Sequence, residues 1–180
     1  LRYKMTERIA NQLYADSSLT MVLYDDLENS KEIRKCVIDG AVEASLLKPI
    51  LILDKFQVIV AATRAVHNQK HKRMTTKTIH SEILFCLSPS KNISDSYRNF
   101  GLGDEDKCML VVIVDDQDNS KLNALQQLIK GRQLPLSDLQ AKADASAIKK
   151  IYKIRDEELE VCSLLDAVVT RISSKEIVTL

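Results

Sequence analysis

Two almost entirely apolar runs of strand length differ from the mixed polar and apolar pattern of the rest of the chain. They are Leu19 to Tyr24 and Cys108 to Val114, and each is followed at once by a pair of aspartates. A run of this kind suits a strand that is covered on both faces. We therefore predict two buried strands of a central sheet.

Apolar residues at helical spacing predict two longer helices in the first half of the chain. One begins after an N-cap at Asn29 or Ser30 and runs to Gly40. The other is capped by Asp54, and its spacing places one face toward the core. The inward residues predicted for that face are Phe56, Ile59, Val60, Thr63, and His67 or Val66.

The short stretch between these helices predicts a helical turn followed by an extended segment. Ala41 to Leu47 fits the turn, which ends at Lys48 because a proline disfavours the α region for the residue before it. Ile50 to Leu53 is then expected to be extended.

The apolar run from Ser81 to Leu87 fits a short helix with Ser81 as its N-cap, and a buried strand is the alternative, because period alone does not separate them. Ile93, Tyr97 and Phe100 form the apolar stripe of the next helix, which Ser94 or Asn92 caps. Gly101 is predicted to end that helix in the left-handed conformation.

After the second strand the pattern predicts a helix from Ser120 to Lys130 that Gly131 closes, and a connector from Leu134 to Leu139. Ala143 to Lys153 fits a short helix, or a helix with an extended exit. The last element, Asp156 to Ser173, carries an apolar band wider than a helix packed on one side needs. The excess is free to cover a partner.

The predicted fold is α/β (α+β): a single compact domain in which a small central sheet packs with several helices. A length of 180 residues and a hydrophobic content of 45% suit one domain with one core. Residues 19–180 form that domain. Residues 1–18 begin without methionine and are taken as a leader or extended segment to which no function is given.

Charge is segregated locally although the net charge is only +1. The chain has no acidic residue between Asp54 and Glu82, and all three histidines lie there. Six cationic residues accompany them: Lys55, Arg64, Lys70, Lys72, Arg73 and Lys77. Any polyanion site is expected to come from this segregation.

The four cysteines are scattered singly in or beside apolar runs, as is typical of reduced thiols packed in a core. The sequence also contains no signal peptide and no apolar run long enough to span a bilayer. These features predict a cytosolic or nuclear protein.

The sequence gives little support for a catalytic or metal site. His67 and His71 have the spacing of a two-histidine metal face, but no nearby carboxylate completes a site. Cys86 with His80 suggests a thiol nucleophile, but the cysteine lies within an apolar run, where thiols are usually inert. Phosphate-binding motifs of the GxxxxGK[ST] and GxGxxG types are absent. We predict no enzymatic activity, no metal and no cofactor.

The basic segment from Lys70 to Lys77, with the polar turn from Ser88 to Asn92, is the better candidate for function. Lys70, Lys72, Arg73 and Lys77 can neutralise several phosphates. Base recognition needs aromatic rings or amide edges, and Asn92, Tyr97 and the histidines are the nearby candidates. A solvated charged surface is the alternative interpretation.

Several sequence blocks resemble one known family. They are KPILILDKFQVIVAATRAVHNQK, KRMTTKTIHSEILFCLSPSKNISDSYRNFGL, IKKIYKI and LLDAVV, and they occur in the family's order from about Leu19 to Val178. On these blocks the chain resembles the TPRKB family, the kinase-binding subunits of the KEOPS (EKC) complex.

The resemblance implies a compact α/β domain without activity of its own. The family's complex makes threonylcarbamoyladenosine in tRNAs that read ANN codons, and a sister subunit performs the transfer. The subunit is implied to bind the N-terminal lobe of a small atypical kinase, to stimulate its ATPase, and to hold the single-stranded CCA 3′ end of tRNA.

By motif position, the resemblance assigns the acceptor-end contact to the basic segment and polar turn: Lys70, Lys72, Arg73, Lys77, Ser88, Lys91 and Asn92. It assigns the kinase contact to the last apolar helix: Leu164, Leu165, Val168, Val169 and Ile172. A scaffold that binds the kinase and no RNA is the alternative.

Overall fold

Five antiparallel strands form one sheet in the computed structural model, which describes residues 5–178. The strands are β1 (Thr6–Ala10), β2 (Ser18–Asp25), β3 (Ser45–Leu47), β4 (Met109–Val114) and β5 (Arg132–Leu134). The strand order is β1-β2-β4-β3, and β5 pairs with the end of β2. The small central sheet predicted from the sequence is confirmed.

The two predicted strands are the centre of this sheet. β2 and β4 pair directly, with Val22 opposite Val111, and every residue of β4 is buried. Successive side chains of a strand point to opposite faces, so a run that is apolar throughout must be covered on both. The sheet also begins before Leu19, because β1 pairs with β2 from Thr6 to Ala10.

Helices cover the sheet on both faces. The described part of the chain contains α1 (Ser30–Ile38), α2 (Lys55–Lys70), α3 (Ile79–Leu87), α4 (Ile93–Phe100), α5 (Ser120–Leu128), α6 (Leu139–Lys142), α7 (Ala145–Tyr152) and α8 (Leu164–Ser174). One face packs against α2, α3, α7 and α8, and the other packs against α1 and α5. Within residues 5–178 no helix has the length and apolar content that crossing a membrane requires.

The prediction for residues 41–53 was wrong. Ser45–Leu47 is a strand, and Pro49–Leu51 is a 3-10 turn where an extended segment was expected. β3 is only three residues long and exists because Ser45, Leu46 and Leu47 pair with β4. Pairing with a distant strand overrode the local pattern, as is common for short segments.

The helix capped by Asp54 is confirmed, and its predicted inward face is confirmed in part: Val66 is buried and Ile59 and Val60 pack against the core, but Phe56 does not. The Asp54 side chain accepts a hydrogen bond from the Phe56 amide, while the Phe56 ring is 49% exposed. The fully buried apolar residues of α2 are Val58, Ala61, Ala62 and Ala65. α3 packs against α2, and small side chains allow the two helices to approach closely.

α3 is a helix, so the alternative of a buried strand is wrong. Its N-cap is Thr78 rather than Ser81, and Ser81 lies three residues further on as the partner in a capping box. α4 is capped by Asn92, one of the two predicted caps. Gly101 has φ −79° and ψ 148°, so the predicted left-handed stop was wrong. A Cβ there would lie 2.6 Å from the Tyr97 carbonyl oxygen, which explains the glycine.

The last predicted element is divided in two. Asp156–Glu160 is a 3-10 segment, and α8 begins only at Leu164. Ser163 and Asp166 form a capping box at that point. A capping box satisfies two amides that would otherwise lack partners, so it favours a new helix start.

Candidate nucleic-acid interface

The residues predicted to bind RNA lie at the two ends of α3. Residues 71–77, here called the basic loop, join α2 to the N-terminal end of α3, while residues 88–92, the polar turn, follow its C-terminal end. A helix of nine residues is about 13 Å long. The structure therefore brings the predicted residues together as two groups, which a single phosphate is too small to bridge.

The basic loop begins with a tight helix end. The Lys72 amide donates to the Gln69 carbonyl at 3.1 Å, and the Arg73 amide donates to the Asn68 carbonyl at 2.8 Å. Lys72 has φ 56°, the left-handed conformation that such helix ends require. The side chains of Lys72, Arg73 and Lys77 are exposed.

A buried carboxylate holds the basic loop in place. Glu82 is fully buried in α3, and one of its oxygens accepts hydrogen bonds from the Thr75 amide (3.0 Å), the Thr76 amide (2.8 Å) and the Thr76 hydroxyl (2.8 Å). Its other oxygen accepts from Asn68 Nδ2 at 3.0 Å. We did not predict this role for Glu82 from the sequence, although a carboxylate inside the apolar run from Ser81 to Leu87 was a signal for it.

Lys70 is partly neutralised at the surface. Its ammonium lies 2.5 Å from an Asp16 carboxylate oxygen and 5.3 Å from the Tyr14 ring centre. The hydrogen bond from Lys70 lowers the pKa of Asp16. Since both side chains are exposed to water, the pair contributes little to stability, and competing phosphates can displace Asp16.

The polar turn is shaped by its own side chains. The Ser88 hydroxyl accepts from the Ser90 amide at 3.1 Å, and the Ser90 hydroxyl accepts from the Asn92 amide at 3.0 Å. Asn92 Oδ1 accepts from the Asp95 amide and caps α4. Ser88 is fully buried, so its predicted role as an RNA contact needs correction: the side chain builds the turn. Lys91 and Asn92 are exposed.

A neutral hydrogen-bond network supports the start of this turn. The Tyr152 hydroxyl, at the end of α7, donates to the Leu87 carbonyl at 2.6 Å. Gln57 Nε2 donates to the same hydroxyl at 3.1 Å and to the Leu51 carbonyl at 3.0 Å. Burial raises the pKa of Tyr152 far above its usual value, so the hydroxyl stays neutral. The tyrosine of the IKKIYKI block is thus a structural residue.

The predicted kinase-contact residues do not share one surface. Val168 and Ile172 are fully buried in the core, which corrects their prediction as surface contacts. Leu164 is half-buried against the same core, and Leu165 and Val169 are half-exposed. The wide apolar band therefore consists of an inner half that holds α8 to the protein and an outer half that faces solvent.

The histidines and thiols have structural surroundings. His67 Nδ1 lies 2.6 Å from the Tyr14 hydroxyl, and residues 5–178 contain no group of three or more potential metal ligands. His80 Nε2 accepts from the Val114 amide at 3.2 Å, and burial lowers the pKa of His80 to about 4. Burial, with the charge of Glu82, raises the pKa of Cys86 to about 12. An activated thiol has a lowered pKa and is accessible, whereas Cys86 is buried and has a raised pKa.

Comparison with known proteins gives a consistent set of similarities. A family model described as "Kinase binding protein CGI-121" matches residues 24–176. The chain is 34% identical to the EKC/KEOPS complex subunit TPRKB of Danio rerio, over 92% of this chain and 95% of that protein. It is 35% identical to the EKC/KEOPS complex subunit cgi121 of Aspergillus fumigatus, over 84% and 88% of the two chains. The corresponding subunit of Schizosaccharomyces pombe is 30% identical, over 88% and 96%.

Proposed function

The chain belongs to the CGI-121 family of kinase-binding proteins, and from that premise we propose that it is a non-catalytic accessory subunit of a KEOPS (EKC) complex. In that complex it binds and stimulates the small atypical kinase and helps to recruit tRNA through its CCA 3′ end. The complex makes threonylcarbamoyladenosine in tRNAs that read ANN codons. The similarity to EKC/KEOPS subunits over most of the chain supports the assignment.

The architecture of the basic loop supports the tRNA-binding part. Exposed cations are common on proteins, but here Lys72, Arg73 and Lys77 stand on a backbone that the buried Glu82 fixes. A fixed backbone reduces the entropy that the loop would lose on binding a phosphate chain. The basic loop is therefore preorganised for a polyanion.

The test is a titration of the protein with a labelled tRNA that carries or lacks CCA, at several salt concentrations. A basic-loop variant combines Lys72→Gly, Arg73→Gln and Lys77→Gln. Its matched control removes three exposed charges from the other face of the sheet by Lys31→Gln, Lys35→Gln and Lys130→Gln. We expect tighter binding with CCA, a loss of affinity in the basic-loop variant, and little change in the control.

If the unchanged protein binds both tRNAs equally and weakly, recruitment through the CCA end is wrong. The protein is then a scaffold that binds only the kinase, which is the alternative function. If the control loses as much affinity as the basic-loop variant, the contact is a general effect of net charge.

The outer half of α8 supports the kinase-binding part. Leu165 and Val169 are four residues apart and present apolar surface to solvent, and Val161, just before α8, is 86% exposed. Apolar side chains grouped at a surface are typical of a protein contact. We expect Leu165→Asp with Val169→Asp to abolish binding of the kinase subunit from the same species, measured by calorimetry.

A matched control keeps this test independent of folding. Thr170→Asp adds a charge to the same helix at an exposed position and should leave kinase binding within about twofold of the unchanged protein. Unimpaired binding by the double variant would show that the kinase contacts another surface.

A further inference from the structure

An open depression at the end of α7 gathers cations that have no part in the function proposed so far. Its volume is about 740 Å³, and its charged lining residues are Lys149, Lys150, Lys153, Arg155, Asp156 and Glu157. We refer to Lys149, Lys150, Lys153 and Arg155 as the α7 cationic surface. Lys150, Lys153 and Arg155 are exposed.

Only Lys149 of this surface forms an ion pair in the described part of the chain, although Asp156 and Glu157 also line the depression. Lys149 pairs with Asp156 at 2.7 Å, whereas Lys150, Lys153 and Arg155 enter no ion pair in the described part of the chain. Arg155 acts weakly on Glu158, whose pKa is lowered mainly by a hydrogen bond from Arg171. The helix dipole accounts for lysines in the last turn of α7, but it does not account for Lys153 or Arg155 beyond the helix end.

The conformation of Lys153 is the second observation. Three helices end in the same hydrogen-bond pattern, in which a left-handed residue donates to the carbonyl three residues back and the next amide reaches five residues back. After α1 the left-handed residue is Gly40 (φ 76°), after α2 it is Lys72 (φ 56°), and after α7 it is Lys153 (φ 51°). Glycine adopts this conformation without strain, whereas a lysine is strained by its Cβ.

The other non-glycine residues with positive φ in the described chain are Asp26, Asp115 and Asn119. Aspartate and asparagine tolerate the left-handed region because their short side chains bond locally. The two lysines therefore stand out, and one of them already belongs to the basic loop. Because glycine would occupy these positions without strain, the two lysine side chains are candidates for a functional contact.

The turn that carries Lys153 is bonded to two neighbouring helices. The Tyr152 hydroxyl bonds to the Leu87 carbonyl, so the last residues of α7 and α3 are joined by one side chain and one hydrogen bond. Arg171 of α8 donates to the Lys153 carbonyl at 3.4 Å and pairs with Glu158. The end of α7 is thus joined to α3 by one hydrogen bond and to α8 by another.

We propose that the α7 cationic surface binds the phosphodiester backbone of RNA, as a second contact separate from the basic loop. The inference rests on the tRNA binding proposed above and extends it to a second surface of the protein. The contact is electrostatic and independent of base sequence, because its exposed groups are ammonium and guanidinium ions. It positions the RNA chain rather than identifying it.

The experiment measures tRNA affinity against salt concentration for the whole protein and for a variant with Lys150→Gln, Lys153→Gly and Arg155→Gln. Affinity falls as salt rises, and each lost phosphate contact should make the slope of log affinity against log salt less steep by about 0.7 to 0.9. We expect the slope of this variant to be less steep by about 2, and the slope of the Lys31, Lys35 and Lys130 control to be unchanged. An unchanged slope in the α7 variant would overturn the proposal.

The single change Lys153→Gly separates binding from folding. Because glycine relieves the strained backbone, the variant should melt at the same or a higher temperature than the unchanged protein while binding tRNA more weakly. A variant that melts higher and keeps its full salt slope would show that Lys153 contacts no phosphate.

Further outcomes of these experiments distinguish failure of this proposal from failure of the tRNA binding on which it rests. If the unchanged protein does not bind tRNA, the proposed RNA binding itself fails. If it binds and only the basic-loop variant loses affinity, the second contact alone fails. Vesicles of phosphatidylcholine and phosphatidylserine should bind the α7 variant and the unchanged protein alike; a loss confined to vesicles would assign the surface to lipid and overturn the proposal.

Discussion

Exposed cations lie near both ends of α3, but different side-chain chemistry holds the backbone at each end. At the N-terminal end the buried carboxylate of Glu82 accepts four hydrogen bonds and fixes the basic loop. At the C-terminal end the neutral side chains of Tyr152 and Gln57 fix the start of the polar turn. A buried charge becomes costly as soon as donors are lost, whereas a neutral network loses stability in smaller steps. When hydrogen bonds are removed, the basic loop should therefore lose its structure as a unit, whereas the polar turn should lose stability in smaller steps.

The largest expected effect tests that difference at Glu82. Glu82→Gln keeps the shape of the side chain but removes its charge. It also replaces one accepting oxygen by an NH2 group, which cannot accept a hydrogen bond. We expect the free energy of unfolding to fall by about 3 kcal/mol, measured by urea denaturation, with faster hydrogen exchange at the Thr75 and Thr76 amides. The exposed Glu43→Gln is the control. A loss no larger than that of the control would mean that the carboxylate does not hold the loop.

At the other end of α3, Tyr152→Phe should have a smaller effect. The change removes one hydroxyl and leaves the Leu87 carbonyl without that partner, which costs about 1 to 2 kcal/mol. Hydrogen exchange should quicken in residues 88–92 and stay unchanged at Thr75 and Thr76. Tyr97→Phe, at a surface tyrosine, provides the control. Faster exchange at both ends of α3 would contradict the separation of the two regions.

The pH dependence of stability offers a third comparison, through Lys175 near the C-terminal end of α3. Its ammonium donates to the Phe85 carbonyl and lies over the Phe85 ring, and burial lowers the pKa of Lys175 to about 8 from its usual value of 10.5. Arg64 adds to the lowering, while Cys86, Glu82 and Glu176 oppose it.

Between these two pKa values the unfolded chain binds more protons than the folded protein, so the contribution of Lys175 to stability increases as pH rises. We expect the stability difference between the unchanged protein and Lys175→Met to shift in favour of the unchanged protein from about pH 8 to about pH 10. Calorimetric unfolding over this range measures it. A shift in the opposite direction would mean that the folded protein favours the charged amine.

The smallest expected effect concerns the left-handed lysine of the basic loop. Lys72→Gly should raise the free energy of unfolding by about 0.5 to 1 kcal/mol, because glycine removes the strain at φ 56°. Lys70→Gly, two residues earlier but inside α2, should lower it by about 1 kcal/mol. If both changes lower the stability, the left-handed lysine is not strained.

The sequence grouped the candidate site residues into two segments but did not show how those segments are assembled. Lys72, Arg73, Lys77 and Lys91 are exposed as a functional surface requires, and their grouping in the chain was visible from the charge pattern. Ser88, Val168 and Ile172 were chosen on residue type and motif position, and the structure buries all three. Burial depends on which neighbours pack around a side chain, and those neighbours come from distant parts of the chain.

Local patterns were sufficient for the elements whose signal lies in adjacent residues. The apolar runs of β2 and β4, the Asp54 cap of α2 and the Asn92 cap of α4 are properties of adjacent residues, so the sequence alone determined them. Only the tertiary structure decided that Ser45–Leu47 is a strand, that α2 turns its alanines inward, and that Glu82 and Tyr152 hold the two ends of α3. In each of these cases the partner lies on another element, and the free energy of the contact exists only once the chain has folded.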